Sequence, residues 1–133
     1  MDNQSCVKII TEWDIVAARQ LGRNVAKELG FGTVDQARIT TAISELARNI
    51  YLYAGQGQIC IEQISEFSKK GLKIIAIDNG PGIPDIRKVM EDGFSTSGGL
   101  GAGLPGVKRL MDEFSINTVL EEGTDIQAVK WLR

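Results

Sequence analysis

Apolar residues recur along this chain with two spacings, and each spacing predicts a different kind of element. Gaps of three and four residues over 12–29 and 33–53 predict two helices, each with one buried face. Alternating apolar and polar residues over 58–65 predict a strand, and the Ile-rich run 72–78 before a Gly/Pro turn predicts a buried strand. Weaker patterns predict a strand at 5–11, a short helix at 85–91, a helix at 103–112, and strands at 113–120 and 125–131.

The order of these elements predicts the fold class. Two helices separate the first strand from the second, and short turns at 68–71 and 121–124 suit hairpins. We therefore expect a two-layer α/β sandwich with a mixed sheet and helices on one face. A length of 133 residues suits a single domain with a sizeable core, which we expect to span 1–133.

Composition and charge narrow the classes of partner and compartment. A net charge of −2 and a pI near 5.2 disfavour general binding to nucleic acid or to anionic membranes. The N-terminal segment lacks a basic region followed by an apolar stretch, and no apolar run approaches the length of a membrane span. Cys6 and Cys60 are too few for a disulfide scaffold and are predicted to be reduced thiols, which favours a cytosolic protein.

The chain contains no histidine, and this removes several kinds of catalytic and metal site. Relays of the Ser-His-Asp and Cys-His types are excluded. Most zinc sites are excluded as well, because the two thiols lie far apart in the sequence. The chain also cannot carry a phosphoryl group on a histidine of its own.

Three polar features remain once the predicted core is set aside. Glu45 and Asn49 lie four residues apart on the second predicted helix and therefore share one of its faces. Asp78 ends the buried strand, and the following Gly80 and Gly82 allow a sharp turn or a close approach to a flat group. Each feature also has a plain structural interpretation, a solvated helix face in the first case and a turn in the second.

The third feature is the segment 96–105, Thr-Ser-Gly-Gly-Leu-Gly-Ala-Gly-Leu-Pro. Its bare backbone N–H groups and the helix that follows suit a phosphate chain, although a flexible surface loop has the same composition. Residues 101–106 also match the dinucleotide fingerprint G-x-G-x-x-G. We reject that interpretation, because a polar loop rather than a strand precedes the first glycine.

Taken together, four segments resemble the boxes of the GHKL ATP-binding family, which includes gyrase B, Hsp90, MutL, histidine kinases and anti-sigma-factor kinases. The segments are 45–49 (Glu-Leu-Ala-Arg-Asn), 78–82 (Asp-Asn-Gly-Pro-Gly), 99–103 (Gly-Leu-Gly-Ala-Gly) and 123–124 (Gly-Thr). The resemblance extends over nearly the whole chain. Small size, the missing histidine and the missing dimerisation helices place the sequence with the anti-sigma-type serine kinases, whose fold is the Bergerat ATPase fold.

The resemblance implies an ATP site with a role for each box. Asp78 would accept a hydrogen bond from the adenine amino group, with Thr124 supporting it through water. Asn49 would supply an oxygen ligand to Mg²⁺, and Glu45 would orient or deprotonate the attacking hydroxyl. The remaining positions expected to contact the nucleotide are Gly80, Gly82, Ile83, Gly99, Leu100, Gly101, Ala102, Gly103 and Leu104.

The resemblance also implies partners. Kinases of this type phosphorylate a serine or threonine on a STAS-domain antagonist, work with the stressosome, and bind and activate a PP2C-type phosphatase once released. An ATP-gated anti-sigma factor that acts mainly by binding shares the same boxes and is the alternative. Arg19, Arg23 and Lys27 lie at i, i+4 and i+8 on the first helix, either as a docking site for an acidic partner or as a solvated basic stripe.

One departure from the family pattern concerns the lid expected at 96–99. No Lys or Arg lies between Lys88 and Lys108, so the lid has no cation of its own, whereas many relatives place one near the γ-phosphate. The developing charge would then be balanced by Mg²⁺, by backbone amides, by Arg48 or by a group from the partner. Slow turnover without the partner is therefore expected.

Overall fold

The computed structural model describes residues 4–91 and 103–133, and within them the elements follow the predicted order. The strands are β1 (Gln4–Ile9), β2 (Gly57–Glu66), β3 (Lys69–Asp78), β4 (Glu113–Val119) and β5 (Gly123–Trp131). The helices are α1 (Glu12–Leu29), α2 (Thr33–Asn49), α3 (Ile86–Val89) and α4 (Gly103–Leu110). The α/β sandwich predicted from the element order is confirmed.

In the described part of the chain the strands form one sheet in the order β1-β2-β3-β5-β4, and every neighbouring pair is antiparallel. The sheet is therefore not mixed, and that part of the prediction is wrong. Two helices separate β1 from β2, so the chain returns to the sheet in the opposite direction. β3 and β4 do run the same way, since both are antiparallel to β5, but β5 lies between them and no parallel pair forms.

The core lies between the sheet and the layer that α1 and α2 form on one of its faces. Successive side chains of a strand point to opposite faces, and in β3 the buried positions alternate as a one-sided core requires. The apolar stripe predicted for the second helix is buried, and its members are Ile39, Ile43, Leu46 and Ile50. No helix in the ranges 4–91 and 103–133 is long and apolar enough to span a membrane.

Asp14 fixes the start of α1. Its carboxylate accepts hydrogen bonds from the backbone N–H groups of Thr11 at 2.8 Å and of Ile10 at 2.9 Å. These two bonds, the one from Thr11 foremost, hold the pKa of Asp14 below its ordinary value of 3.8 because they favour the charged form. The chain therefore enters α1 in a defined direction, with residues 10–13 held against the first turn.

The second helix does not continue to Tyr53 as a regular α-helix, although the apolar spacing predicts that it does. From Ile50 to Ala54 the chain forms a π-helical turn, in which the N–H of Gly55 donates to the carbonyl of Ile50 at 2.9 Å. Turns of this kind are rare and occur often at functional sites. The wider turn changes which side chains face the sheet beyond the end of α2.

The two cysteines are not the reduced thiols that the sequence predicts. Cys6 and Cys60 are directly opposite each other in the register of β1 and β2, and a disulfide joins them across the two strands. The prediction rested on the number of cysteines, which contains no information about strand register. Since disulfides are rare in reducing compartments, the cysteines no longer support the cytosolic assignment.

Candidate nucleotide-binding site

A cavity of about 370 Å³ opens between the end of α2, the end of β3 and the start of α4. Its size lies in the range of small-molecule sites. Most of its lining is apolar, with Leu46, Ile50, Ala76, Leu104 and Ile126 among the contributors. An apolar cleft with a few polar groups suits a flat heterocycle, because the faces of the ring are buried while its edge is recognised.

Asp78 provides one of the few polar groups of the lining. Its Oδ1 accepts a hydrogen bond from the N–H of Gly80 at 2.8 Å, which closes the turn that follows β3. A carboxylate has a second oxygen, and the turn does not need it. The turn interpretation and the ligand interpretation of Asp78 are therefore compatible.

Thr124 also lines the cavity, directly opposite Asp78 in the register of β3 and β5. Its hydroxyl is 2.9 Å from the hydroxyl of Thr118, on the neighbouring strand β4. The hydroxyl oxygen of Thr118 in turn accepts a hydrogen bond from the N–H of Ile83 at 2.9 Å. Thr118 therefore ties the loop 79–85 to the β4–β5 hairpin and places Ile83 in the cavity wall.

No sequence pattern distinguishes Thr118 from other strand residues. A threonine at an alternating position of a strand is an ordinary β-propensity choice, and its partner Ile83 lies 35 residues away in the sequence. The pairing becomes visible only with the register of the hairpin. Thr118 alternates with Phe114 and Ile116 along β4, and a polar residue at such a position is the signal that could have indicated it.

Gly82 is required by the same junction. Its φ is 81°, a conformation that L side chains rarely adopt, and a Cβ there would lie 2.7 Å from the carbonyl oxygen of Val119. The neighbouring Pro81 accepts a hydrogen bond from the N–H of Glu121 at 2.7 Å. Close approach to the hairpin backbone therefore explains this glycine, in addition to any contact with a flat ligand.

The α2 side contributes Asn49, which lines the cavity, while Glu45 one turn earlier does not lie in its described lining. The carboxylate of Glu45 is only 1% exposed, and Nη1 of Arg48 approaches its Oε1 at 3.6 Å. A buried carboxylate is costly unless it is paired or hydrogen-bonded. Arg48 thus pairs with Glu45, and neither residue is in the described lining of the cavity.

On the α4 side, Leu104 lines the cavity and Gly103 is the first residue of the helix. The N–H groups of a helix N-terminus favour negative charge. The predicted phosphate contacts Gly99, Leu100, Gly101 and Ala102, and the lid 96–99, lie outside the described residues.

The π-helical turn contributes three residues to the described cavity lining, of which only Ile50 belongs to the predicted apolar stripe. Ile50, Tyr53 and Ala54 all contribute to the lining. Regular α-helical spacing would assign only Ile50 to the core stripe. The change of helical period at residue 50 explains why the other two were missed.

Comparisons with known proteins agree with this geometry. The family described as histidine kinase-, DNA gyrase B- and HSP90-like ATPases matches residues 34–132. The chain is 86% identical over 133 residues to the serine/threonine-protein kinase RsbT of Bacillus subtilis (strain 168), and the match covers 100% of both chains. It is 32% identical over 100 residues to the anti-sigma F factor of Thermoanaerobacter sp. (strain X514), covering 72% of this chain and 70% of that factor.

Solved structures show the same fold at low sequence identity. The RsbU and RsbW domains of a Mycobacterium tuberculosis protein align with a TM-score of 0.65 at 16% identity, covering 97% of this chain and 33% of that chain. The mycobacterial sensor histidine kinase MprB aligns with a TM-score of 0.56 at 17% identity, covering 96% and 97%. The family match, the full-length identity and the cavity together show that the chain belongs to the GHKL ATPase family and, within it, to the serine/threonine-protein kinases.

Proposed function

We propose that this kinase transfers the γ-phosphoryl group of ATP to a serine of a STAS-domain antagonist in a bacterial stress-response partner-switching module. In the same proposal it works with the stressosome and, once released, binds and activates a PP2C-type phosphatase. We place it in the cytoplasm, where its ATP is made. One observation supports the proposal above the others: Asn49, Asp78 and Thr124 line a single cavity together with the first turn of α4.

The base of the nucleotide fits the β3 side of the cavity. Adenine presents an amino donor on its edge, and a carboxylate such as Asp78 accepts hydrogen bonds only. Thr124 lies opposite, where its hydroxyl can share an ordered water with that edge. The apolar side chains of Leu104 and Ile126 cover the faces of the ring.

Asn49 is the residue that would hold Mg²⁺. Its amide oxygen is a hard ligand, its side chain lines the cavity, and Mg²⁺ commonly takes only one or two protein ligands beside water and phosphate oxygens. The bound ion would neutralise charge on the phosphates. Asn49 is the last residue of α2 and lines the cavity, which supports this role.

Glu45 is the proposed base. The serine oxygen forms a bond to the γ-phosphorus while the bond from the bridging oxygen to that phosphorus breaks, ADP leaves with the electron pair, and the serine proton passes to the Glu45 carboxylate. Nη1 of the neighbouring Arg48 lies 3.6 Å from Oε1 of Glu45 and would orient that carboxylate. Positioned acid–base groups contribute about 10²–10⁴ in rate.

A second function has its own support. The identity to an anti-sigma F factor favours a regulator that holds a sigma subunit directly, with ATP as a conformational ligand. Such a regulator needs Asp78 and Asn49 for ATP but does not need a base at Glu45. The two functions therefore differ in whether a phosphoryl group leaves the nucleotide.

The test incubates the protein with labelled ATP, Mg²⁺ and a candidate STAS-domain protein. We expect label on the STAS protein and none on a version whose candidate acceptor serines are alanine. Saturable ATP binding without label on any STAS protein would contradict the kinase proposal and favour the binding function. Label that persists on the alanine version would contradict the proposed acceptor.

A further inference from the structure

The solvent-facing side of α1 has a continuous stripe of residues spaced three and four apart. Its members are Trp13, Val16, Gln20, Arg23 and Lys27, and every one of them is exposed. Residues at this spacing lie one above another on the same helix face. The buried residues of α1, such as Ile15 and Gly22, lie on the opposite side. The stripe is therefore a surface that the fold itself does not use.

The N-terminal end of the stripe is apolar. Trp13 is 81% exposed, Val16 is 49% exposed, and Ile10 in the preceding segment is 54% exposed. Tryptophan is usually well buried in folded chains, and it is enriched among the residues that dominate binding energy at protein interfaces. An exposed tryptophan beside two other apolar side chains indicates an anchor for a partner.

The C-terminal end of the stripe is basic. Arg23 and Lys27 belong to it and Arg19 flanks it, and none of these three cations has an ion-pair partner in the described part of the chain. The chain as a whole has a net charge of −2, so this face differs in sign from the rest of the molecule. Charge of one sign on a docking face selects partners of the other sign.

Hydrogen bonds to Asp14 hold the backbone at the apolar, N-terminal end of the stripe. The Asp14 carboxylate in the first turn of α1 accepts hydrogen bonds from the backbone N–H groups of Ile10 and Thr11, which immediately precede the helix. Those bonds fix the backbone that presents Ile10 and Trp13 before any partner arrives. A surface that is ordered in advance loses less conformational entropy on binding.

We propose that the stripe is the docking site for an acidic protein surface with an apolar recess, in which the recess receives Trp13 and carboxylates face Arg23 and Lys27. The proposal rests on the proposed function, because the partners that it concerns are the STAS-domain substrate and the PP2C-type phosphatase. Trp13 and Arg23 are ten residues apart, so the recess and the acidic group of the partner are separated by about 15 Å.

Two other occupants fit less well. A membrane-surface helix needs a broad apolar face, whereas the broad apolar face of α1 is buried in the core and only its end is apolar on the outside. A second copy of this chain would bring two sets of Arg19, Arg23 and Lys27 together without facing carboxylates in the stripe. Both occupants are outcomes of the test.

The first measurement uses Trp13 as a reporter in a Trp131→Phe background, which leaves Trp13 as the single tryptophan. We expect its emission to shift to the blue on titration with the STAS-domain substrate or with the phosphatase, and to weaken at high salt. No shift with either protein overturns the proposal. A shift with anionic phospholipid vesicles, or with increasing concentration of the kinase alone, also overturns it in favour of a membrane or a second copy.

The second measurement separates docking from chemistry in phosphotransfer kinetics. Trp13→Ala and Arg23→Glu should each raise the KM for the STAS-domain substrate by at least about tenfold, with kcat and the Kd for ATP unchanged. Phe67→Ala is the matched control, because Phe67 is 100% exposed in the β2–β3 turn and should change nothing. Equal KM values for Trp13→Ala and wild type contradict the proposal. A wild-type protein that labels no STAS protein instead contradicts the proposed function, and the titration with the phosphatase then decides the docking site.

Discussion

The two polar sides of the cavity are built by different means. On the side proposed to bind the nucleotide base, Asp78, Thr118 and Thr124 belong to three strands. Thr118 is hydrogen-bonded to Thr124 and to Ile83, and Asp78 lies opposite Thr124 in the register of β3 and β5. On the α2 side, Glu45, Arg48 and Asn49 belong to one helix, and helical spacing alone places them. The base side therefore depends on the sheet register, whereas the α2 side depends on a single regular element.

This difference has consequences for mutation. Substitutions on the side proposed to bind the nucleotide base should alter the loop 79–85 and therefore the affinity for the nucleotide. Substitution of Glu45 on the α2 side should leave the cavity wall intact and alter the reaction. The predictions below test that division, beginning with the largest expected effect.

Glu45→Gln should lower the rate of phosphotransfer by about 10²–10⁴, since it removes the proposed base while keeping the size of the side chain. The Kd for ATP should change by less than about twofold. Single-turnover transfer to the STAS-domain substrate measures the first effect and calorimetry the second. Glu28→Gln on the exposed part of α1 is the control. Transfer at the wild-type rate in Glu45→Gln would show that this carboxylate is not the base.

Asp78→Asn should weaken ATP binding by about tenfold to a hundredfold, because a hydrogen bond to a charged group contributes about 1.5–3 kcal/mol. Transfer should fall with binding and recover at saturating ATP. Calorimetric titration with ATP provides the measurement. Asp125→Asn is the matched control, since Asp125 follows Thr124 in β5 and faces the other side of the sheet. An unchanged Kd in Asp78→Asn would remove Asp78 from the site.

Thr118→Val should weaken ATP binding by about threefold to tenfold, because the N–H of Ile83 loses its acceptor and an unpaired amide costs about 1–3 kcal/mol. The rate of transfer at saturating ATP should stay unchanged. Amide hydrogen exchange in the loop 79–85 should rise at the same time. Ser115→Ala, on the exposed side of the same strand, is the control. Equal exchange in Thr118→Val and wild type would show that the loop does not depend on this bond.

Asp14→Ala should have the smallest effect on the cavity, because Asp14 caps α1 and contacts neither side of it. It should lower the melting temperature at neutral pH and leave the Kd for ATP unchanged. The pKa of Asp14 is lowered by its bonds to the backbone, so the stability that it contributes is present above its ordinary pKa of 3.8 and is lost as pH falls through the lowered value. Melting curves of both proteins should therefore converge in acid, and a gap that widens in acid would contradict this.

The regular elements could be predicted from the sequence because their signals are local. The spacing of Ile39, Ile43 and Leu46 determines the buried face of α2, and the alternation in β2 and β3 determines their orientation. The same spacing predicted that Glu45 and Asn49 share one face of α2, and Asn49 is the one of the two that is in the described lining of the cavity. Predictions that rest on the regular spacing of one element are supported by the structure as far as that spacing holds, which in the second helix is up to Ile50.

Features that depend on register could not be predicted. The disulfide between Cys6 and Cys60 and the contact between Thr118 and Ile83 join residues 54 and 35 positions apart. The prediction of a mixed sheet was wrong for the same reason, because the directions of neighbouring strands depend on β5 lying between β3 and β4. The π-helical turn was not predicted, because the apolar residues that lead into it, as far as Ile50, fit a regular α-helical stripe.

The proposed division assigns selection of the adenine to Asp78 and the transfer reaction to Glu45. It is tested most directly by the ratio of the Kd for GTP to the Kd for ATP. Guanine presents a carbonyl where adenine presents an amino group, so Asp78 should disfavour GTP while the amide of an asparagine can donate to it. We expect the ratio to fall by at least about tenfold in Asp78→Asn and to stay at the wild-type value in Glu45→Gln. A ratio that is unchanged in Asp78→Asn, or that falls in Glu45→Gln, would contradict the division.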